Sequence, residues 1–147
     1  HKTERYAVPR EYEYNLTRFV NDVRGKAAHP ILCTPVARRK FDSLGHLVYT
    51  HGVYPDIVKK IANEKNIPLI DMEEKTRELI LEFGEEGSKD LFLHYAPGEL
   101  PSLPDGKVDN THFSPKGARR VAGLFVKGLR KNEHELTQYL KPNDYEK

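Results

Sequence analysis

The fold of this chain is decided by two short apolar runs, Pro30-Ile31-Leu32-Cys33-Thr34-Pro35-Val36 and Ile67-Pro68-Leu69-Ile70-Asp71-Met72. Runs of this length, closed by a proline or an acidic residue, are typical of strands buried on both faces of a parallel sheet. Helical periodicity occurs at residues 9–25, 54–66 and about 73–83, and again from Pro115 onward. Strands that alternate with helices in this way predict an α/β fold with a parallel sheet.

Only two strands are visible in the sequence, and a parallel pair of this kind needs neighbouring strands. We therefore expect the chain to supply about two strands and the final helices of a larger α/β domain. Residues 1–132 are assigned to that domain, and residues 133–147 to a polar C-terminal tail. Residues 37–50 and 93–113 show no clear period and are predicted to be loops. Ligands of open α/β sheets bind beyond the carboxyl ends of the strands, so both loops and Asp71 are expected on a common rim.

A carboxylate and an imidazole stand three residues apart in the segment Val108-Asp109-Asn110-Thr111-His112-Phe113-Ser114-Pro115-Lys116-Gly117. Ser114 suits an N-cap and Pro115 the first helical position, so we expect Asp109 and His112 in a loop anchored by the following helix. A carboxylate that accepts from one imidazole nitrogen leaves the other nitrogen available as a general base. The pattern predicts two members of a nucleophile–His–Asp arrangement. The alternative is that Asp109 caps a turn and His112 is a surface residue.

Composition argues against several classes of function. The 147 residues carry a formal net charge of +2 with scattered basic residues, which does not favour nucleic-acid binding. No stretch approaches the ~18 apolar residues of a membrane span. The single cysteine, Cys33, is expected to be a small buried hydrophobe. The His and Cys spacings of zinc sites are absent, and we expect neither a metal nor another cofactor.

Several sequence blocks, taken in order, resemble those of the SGNH (GDSL-type) hydrolases. The Asp109-x-x-His112 pattern before an amphipathic helix is similar to the last block of that superfamily. Within it, the chain is most similar to bacterial rhamnogalacturonan acetylesterases, over roughly residues 5–130. The blocks that carry this resemblance are residues 31–39, 68–71, 87–89, 97–99 and 109–114.

The resemblance implies a flavodoxin-like α/β/α sandwich and a serine esterase that removes acetyl groups from the pectic polysaccharide rhamnogalacturonan. His112 would be the general base and Asp109 its orienting partner. The family's nucleophile serine and oxyanion-hole residues belong to blocks that this sequence does not contain. They are expected in a missing N-terminal half of the same domain, so the chain alone is expected to be inactive. The substrate also implies a secreted or periplasmic location.

Arg38 and Arg39 follow a predicted strand end and are candidate ligands for the carboxylates of a galacturonate-containing polymer. A surface ion pair is the alternative for both. The expected partner is an acetylated polysaccharide or oligosaccharide. Two other classes stay open, namely a non-catalytic carbohydrate-binding module on a degenerate hydrolase fold and a metal-dependent phosphoesterase. Among esterases, a lipase or a xylan deacetylase also stays open.

Overall fold

The computed structural model describes residues 7–141, which divide into two compact units. Unit 1 comprises the chain up to Pro35 together with His51–Asp71. Unit 2 comprises Val36–Thr50 and the chain from Met72 onward. Each unit has its own hydrophobic core and its own pair of strands. Helices and strands alternate along the chain, so the predicted α/β class is confirmed.

Unit 1 contains the two predicted parallel strands, which are shorter than the apolar runs. β1 spans Leu32–Cys33 and β2 spans Leu69–Ile70, and they pair in parallel. Thr34 Oγ1 donates to Asp71 Oδ1 at 2.8 Å, and Lys59 Nζ lies 2.8 Å from Asp71 Oδ2. The carboxylate therefore ties together the carboxyl ends of both strands. Its expected place on a rim shared with the two loops of unit 2 stays a prediction.

Two helices bury the core of unit 1. α1 spans Pro9–Gly25 and α2 spans Tyr54–Glu64, and each has a proline in its first turn. The predicted apolar face of α2 is buried and consists of Ile57, Val58, Ile61 and Ala62. The expectation that Cys33 is buried is wrong, because this residue is exposed. Side chains alternate along a strand, so Cys33 points away from the face that Leu32 buries.

The second segment of unit 2 begins with a helix. Its regular geometry is interrupted next to residue 83, where the sequence predicts that the helix ends. α3 spans Met72–Gly87, but its backbone leaves helical geometry at Gly84, with φ 70° and ψ 176°. This positive φ suits glycine, which has no Cβ to clash. A 3₁₀ helix at Ser88–Leu91 follows, close to the short helical turn predicted at residues 86–92.

The sequence predicts a loop over residues 93–113, and the structure shows instead an antiparallel hairpin. β3 (Phe92–Tyr95) pairs with β4 (Lys107–Phe113), and residues 96–106, rich in proline and glycine, form the connection. The strand β4 is mostly exposed, so no apolar alternation marks it in the sequence. Leu93 pairs with Asp109 and Phe92 with Phe113, so residues 110–112 form a bulge in β4. Asp109 and His112 therefore lie within a bulged strand, and the prediction that places them in a loop is wrong.

The helix after β4 begins as the sequence predicts. α4 spans Pro115–Lys131, and Ser114 Oγ accepts from the Gly117 N–H at 3.1 Å. The Ser114 hydroxyl also donates to the Asp90 carbonyl at 2.6 Å, and the Ser114 N–H donates to the Leu91 carbonyl at 3.0 Å. The chain is thus fixed to the 3₁₀ helix two residues after His112.

Gly117 lies where α4 approaches the 3₁₀ helix most closely, so a substitution at this position tests the packing of the two helices. A Cβ at position 117 would overlap the Leu91 carbonyl, which cannot retreat without losing its bond from Ser114. We expect Gly117→Ala to lower the free energy of unfolding by about 1–3 kcal/mol, measured by urea denaturation of the full-length protein. Gly87→Ala is the matched control, because its backbone is helical and the nearest atom, Phe83 Cβ, is 3.8 Å away. Equal urea midpoints for Gly117→Ala and Gly87→Ala would contradict the close contact between Gly117 and Leu91.

A short helix follows α4, within the segment assigned to the polar C-terminal tail. A 3₁₀ helix spans Glu135–Tyr139, and the buried His134 precedes it. The His134 N–H donates to the Leu129 carbonyl at 3.1 Å, which ties this turn to α4. Of the predicted polar tail, residues 142–147 lie outside the described residues. The domain division at residues 132 and 133 stays a prediction.

Candidate active site

Asp109 and His112 contact each other on β4. Asp109 Oδ2 lies 2.8 Å from His112 Nδ1. Asp109 Oδ1 accepts from the backbone N–H groups of Thr111 at 2.7 Å and of His112 at 2.9 Å. Both carboxylate oxygens are held, so the carboxylate has a fixed orientation towards the ring. The structure brings the predicted pair together, and its catalytic role stays a prediction.

The same hydrogen bonds set the charge state of Asp109. The pKa of Asp109 falls from 3.8 to about 2, chiefly because the His112 N–H stabilises the carboxylate, followed by the Thr111 N–H and the His112 ring. An ionised carboxylate only accepts hydrogen bonds, so His112 Nδ1 carries the proton. In the neutral form of the ring, Nε2 then holds the lone pair.

The ring is placed where a reaction partner can reach it. The side chain of His112 is 73% exposed, whereas that of Asp109 is 16% exposed. Among residues 7–141, Nε2 of His112 has no hydrogen-bond partner. The arrangement provides an oriented imidazole with a free basic nitrogen, which is what a general base requires.

A second Asp–His pair in unit 2 provides a useful comparison. In the 37–50 loop, Asp42 Oδ1 accepts from the His46 N–H at 2.9 Å, and Asp42 Oδ2 lies 3.3 Å from His46 Nδ1. The side chain of His46 is also 73% exposed, but that of Asp42 is 39% exposed. The contact is longer and its carboxylate is more open to water, so it orients the ring less firmly.

Asn110, which lies between Asp109 and His112, is bound by a buried arginine. The Arg39 N–H donates to the Asn110 carbonyl at 2.9 Å, and Arg39 Nη1 donates to Asn110 Oδ1 at 2.9 Å. Arg39 Nε donates to Ser88 Oγ at 3.0 Å, and Nη2 donates to the Glu85 carbonyl. His94 Nε2 lies 2.8 Å from Asn110 Oδ1. Asn110, Ser88 and His94 were not predicted as parts of one network, because polar contacts between distant residues leave no periodic pattern.

The geometry separates the two arginines predicted to bind substrate. Arg39 is 6% exposed and all three of its guanidinium nitrogens donate to protein acceptors, which favours a structural role. Arg38 is half-buried and lines an open cleft of about 420 Å³. The residues around this cleft are Arg38, Arg39, Lys40, Phe41, Glu85, Asn110 and Thr111. The 37–50 loop and β4 therefore adjoin within unit 2, as expected for two segments of one rim.

Two of the four serines in the chain are committed to structural hydrogen bonds. Ser88 is fully buried and donates to the Glu85 carbonyl at 3.0 Å while accepting from Arg39. Ser114 caps α4. Ser43 and Ser102 are exposed and lie in connections outside helices and strands, not in a strand-to-helix turn that presents a nucleophile.

The described part of the chain was compared with what a metal site and a membrane-spanning helix each require. Residues 7–141 contain no group of three or more His, Cys, Asp or Glu side chains arranged to hold a metal ion. None of the helices within this range is long and apolar enough to cross a bilayer.

The chain is similar in sequence to two curated proteins, although no protein-family model matches it. It is 46% identical over 118 residues to rhamnogalacturonan acetylesterase RhgT of Bacillus subtilis (strain 168), covering 80% of this chain and 51% of that protein. It is 35% identical over 138 residues to the probable rhamnogalacturonan acetylesterase YesY of the same organism, covering 93% of this chain and 59% of that protein. The chain therefore spans about half the length of the curated relatives it matches.

Two solved structures share its fold. The protein YXIM of Bacillus subtilis matches with a TM-score of 0.67 at 23% identity, over 84% of this chain and 31% of that one. LAE5, an α/β hydrolase enzyme from the metagenome of Lake Arreo, Spain, matches with a TM-score of 0.57 at 22% identity, over 86% of this chain and 50% of that one. The chain thus shares its α/β fold with part of each of these two proteins.

By sequence it is a relative of the rhamnogalacturonan acetylesterases over about half of their length. The resemblance to these enzymes that the motif blocks indicate is therefore confirmed.

Proposed function

We propose that this chain provides the general base of an SGNH-type serine esterase that removes acetyl groups from rhamnogalacturonan. The observation that carries the proposal is the 2.8 Å contact between Asp109 and His112, with the far side of the ring open. The names of the two curated relatives support the substrate class. Action on a pectic polymer outside the cytoplasm is part of the same proposal.

The proposed reaction is acyl transfer in two steps. His112 Nε2 takes the hydroxyl proton of a serine while the serine oxygen attacks the acetyl carbonyl. The protonated ring then gives this proton to the departing sugar oxygen, which leaves as a hydroxyl group. Nε2 next takes a proton from water, whose oxygen attacks the acetyl-serine ester. The protonated ring gives this proton to the departing serine oxygen, which restores the serine hydroxyl, and acetic acid leaves and ionises to acetate. Asp109 stabilises the charged ring and keeps the proton on Nδ1 throughout.

The nucleophile is proposed to come from a segment outside this chain. Ser88 and Ser114 already use their hydroxyl groups in structural hydrogen bonds. Ser43 and Ser102 lack the strand-to-helix turn that exposes a nucleophile. An oxyanion hole from that same segment would complete the site.

The cleft beside Asn110 and Thr111 is proposed to take the sugar backbone. Arg38 and Lys40 bring two positive charges to it, and Phe41 brings an aromatic ring. A galacturonate residue carries a carboxylate, which an arginine binds through charge-assisted hydrogen bonds. Arg38 is thus the proposed substrate ligand. Arg39 is not, because it is buried and each of its three guanidinium nitrogens already donates to a protein acceptor.

The full-length protein should release acetate from acetylated rhamnogalacturonan, measured by an enzyme-coupled acetate assay. Arg38→Met should raise KM for this polymer about tenfold, equivalent to about 1.4 kcal/mol, because one charge-assisted contact is lost. Turnover of p-nitrophenyl acetate, which has no carboxylate, should stay unchanged. Arg10→Met, at an exposed arginine of α1, is the matched control. Absence of acetate release from the polymer would refute the substrate, and an unchanged KM would refute the role of Arg38.

A further inference from the structure

We infer that Arg39 and Asn110 form a clamp that holds Asp109 and His112 in catalytic geometry, which makes Arg39 a positioning residue. The clamp is the set of hydrogen bonds that Arg39 makes to Asn110. The inference rests on the proposed function, since it assigns a role within the proposed esterase site.

The clamp acts at the residue that most directly controls the geometry of the pair. Asn110 follows Asp109 and precedes Thr111, whose N–H is one of the donors to the Asp109 carboxylate. Rotation of the chain at residue 110 would carry that N–H and the His112 ring away from Asp109. Arg39 holds residue 110 at two points, the carbonyl and the side-chain oxygen, each at 2.9 Å, so both its position and its rotation are fixed.

The other end of the clamp is anchored in buried structure. Arg39 Nε donates to Ser88, which is itself fully buried, and Nη2 donates to the Glu85 carbonyl. All hydrogen-bond acceptors of this guanidinium are neutral, and no carboxylate among the described residues lies within ion-pair distance of it. The nearby Glu86 feels its charge, because the pKa of that carboxylate is lowered chiefly by a hydrogen bond from a lysine and further by the Arg39 guanidinium. Burying a charge is costly, and well-packed apolar residues commonly stabilise a fold equally well. The buried Arg39 guanidinium is therefore suited to holding Asn110 in one orientation.

His94 completes the orientation of the Asn110 amide. The Arg39 guanidinium only donates, so the oxygen of the Asn110 amide must face it. That oxygen also lies 2.8 Å from His94 Nε2, which must then donate as well. Two donors converge on one oxygen and leave the amide nitrogen turned away. In the part of the chain that the structure describes, this nitrogen has no hydrogen-bond partner.

A double-mutant cycle in the full-length protein tests the clamp. Arg39→Met and Asn110→Ala each remove the side-chain link and keep the backbone bond between the two residues. Each should lower kcat for p-nitrophenyl acetate about 10- to 100-fold with little change in KM, because a displacement of the base by about 1 Å has an effect of this size. The double variant should lose no more than the worse single variant, since both changes remove the same link.

Val58→Ala is the control for a purely structural role. It shortens a buried side chain in the core of unit 1, whereas the clamp lies in unit 2, so it should lower the melting temperature while kcat stays within about threefold. If Arg39→Met does not fold, Asn110→Ala still decides the question, because Asn110 is exposed.

The outcomes separate this inference from the proposed function. If wild-type turnover does not depend on His112, the proposed function fails. If that dependence is present but Asn110→Ala retains full kcat, or the single losses multiply in the double variant, the clamp alone is refuted.

Discussion

Replacing His112 by alanine in the full-length protein should lower kcat for acetate release at least about 10⁴-fold, with KM nearly unchanged. The imidazole is proposed to move a proton in both steps, and removal of one member of such an arrangement leaves only the catalysis given by binding and electrostatics. Folding should be unaffected, because the His112 side chain is 73% exposed and Asp109 is the one polar partner of its ring among residues 7–141. Steady-state kinetics on acetylated rhamnogalacturonan and on p-nitrophenyl acetate would measure the loss.

His46→Ala is a matched control for this substitution. His46 has the same side-chain exposure of 73% and also lies beside a carboxylate, Asp42. We expect wild-type kinetics from this variant. If His112→Ala instead retained activity while His46→Ala lost it, the base would be misassigned. If neither substitution changed turnover, a non-catalytic role for this part of the protein would be favoured.

Asp109→Asn should lower kcat about 10³- to 10⁴-fold while leaving the backbone of residues 109–112 in place. The amide oxygen can still accept from the N–H groups of Thr111 and His112, which hold the local backbone. The amide nitrogen, however, would face His112 Nδ1 and donate to it, so the ring would carry its proton on Nε2. A ring in that tautomer cannot take a proton from the serine. The measurement is kcat for p-nitrophenyl acetate, with Asp42→Asn as the control that should change nothing.

The same variant has a second readout in the dependence of stability on pH. The pKa of Asp109 is about 2 in the folded protein, below the value of about 3.9 expected for an unfolded chain. A lowered pKa stabilises the fold above pH ~4, and this contribution is lost as the pH falls from ~4 towards ~2. Asp109→Asn should therefore flatten the loss of stability in this window, measured by urea denaturation at several pH values. An unchanged acid slope would show that Asp109 is not held by these bonds.

Local chemistry explains which elements could be predicted from the sequence. The start of α4 follows from one capping serine and one proline, and both act within a single turn. The strands β1 and β2 follow from apolar runs whose burial needs no knowledge of distant partners. The contact between Asp109 and His112 belongs to the same group, because the two residues are three positions apart and the Asp109 carboxylate accepts from the N–H groups of Thr111 and His112.

The remaining features depend on residues far apart in the chain. The strand β4 carries mainly exposed side chains, so its pairing with β3 decides its conformation and its own pattern does not. Arg39 and Asn110 are separated by 71 positions, and nothing in either segment marks the other as its partner. A pair of adjacent arginines at a strand end is equally compatible with two substrate ligands and with a surface ion pair.

The hairpin of β3 and β4 has a consequence for how enzymes of this kind diversify. The base and its orienting acid lie three residues apart within β4, and the bonds from the N–H groups of Thr111 and His112 to Asp109 hold their spacing, which does not depend on how residues 96–106 connect the hairpin. Insertions or deletions in that connection can change which ligands the surrounding surface binds without disturbing Asp109 and His112. Selectivity for one sugar or another can thus drift among descendants while the chemistry is inherited intact.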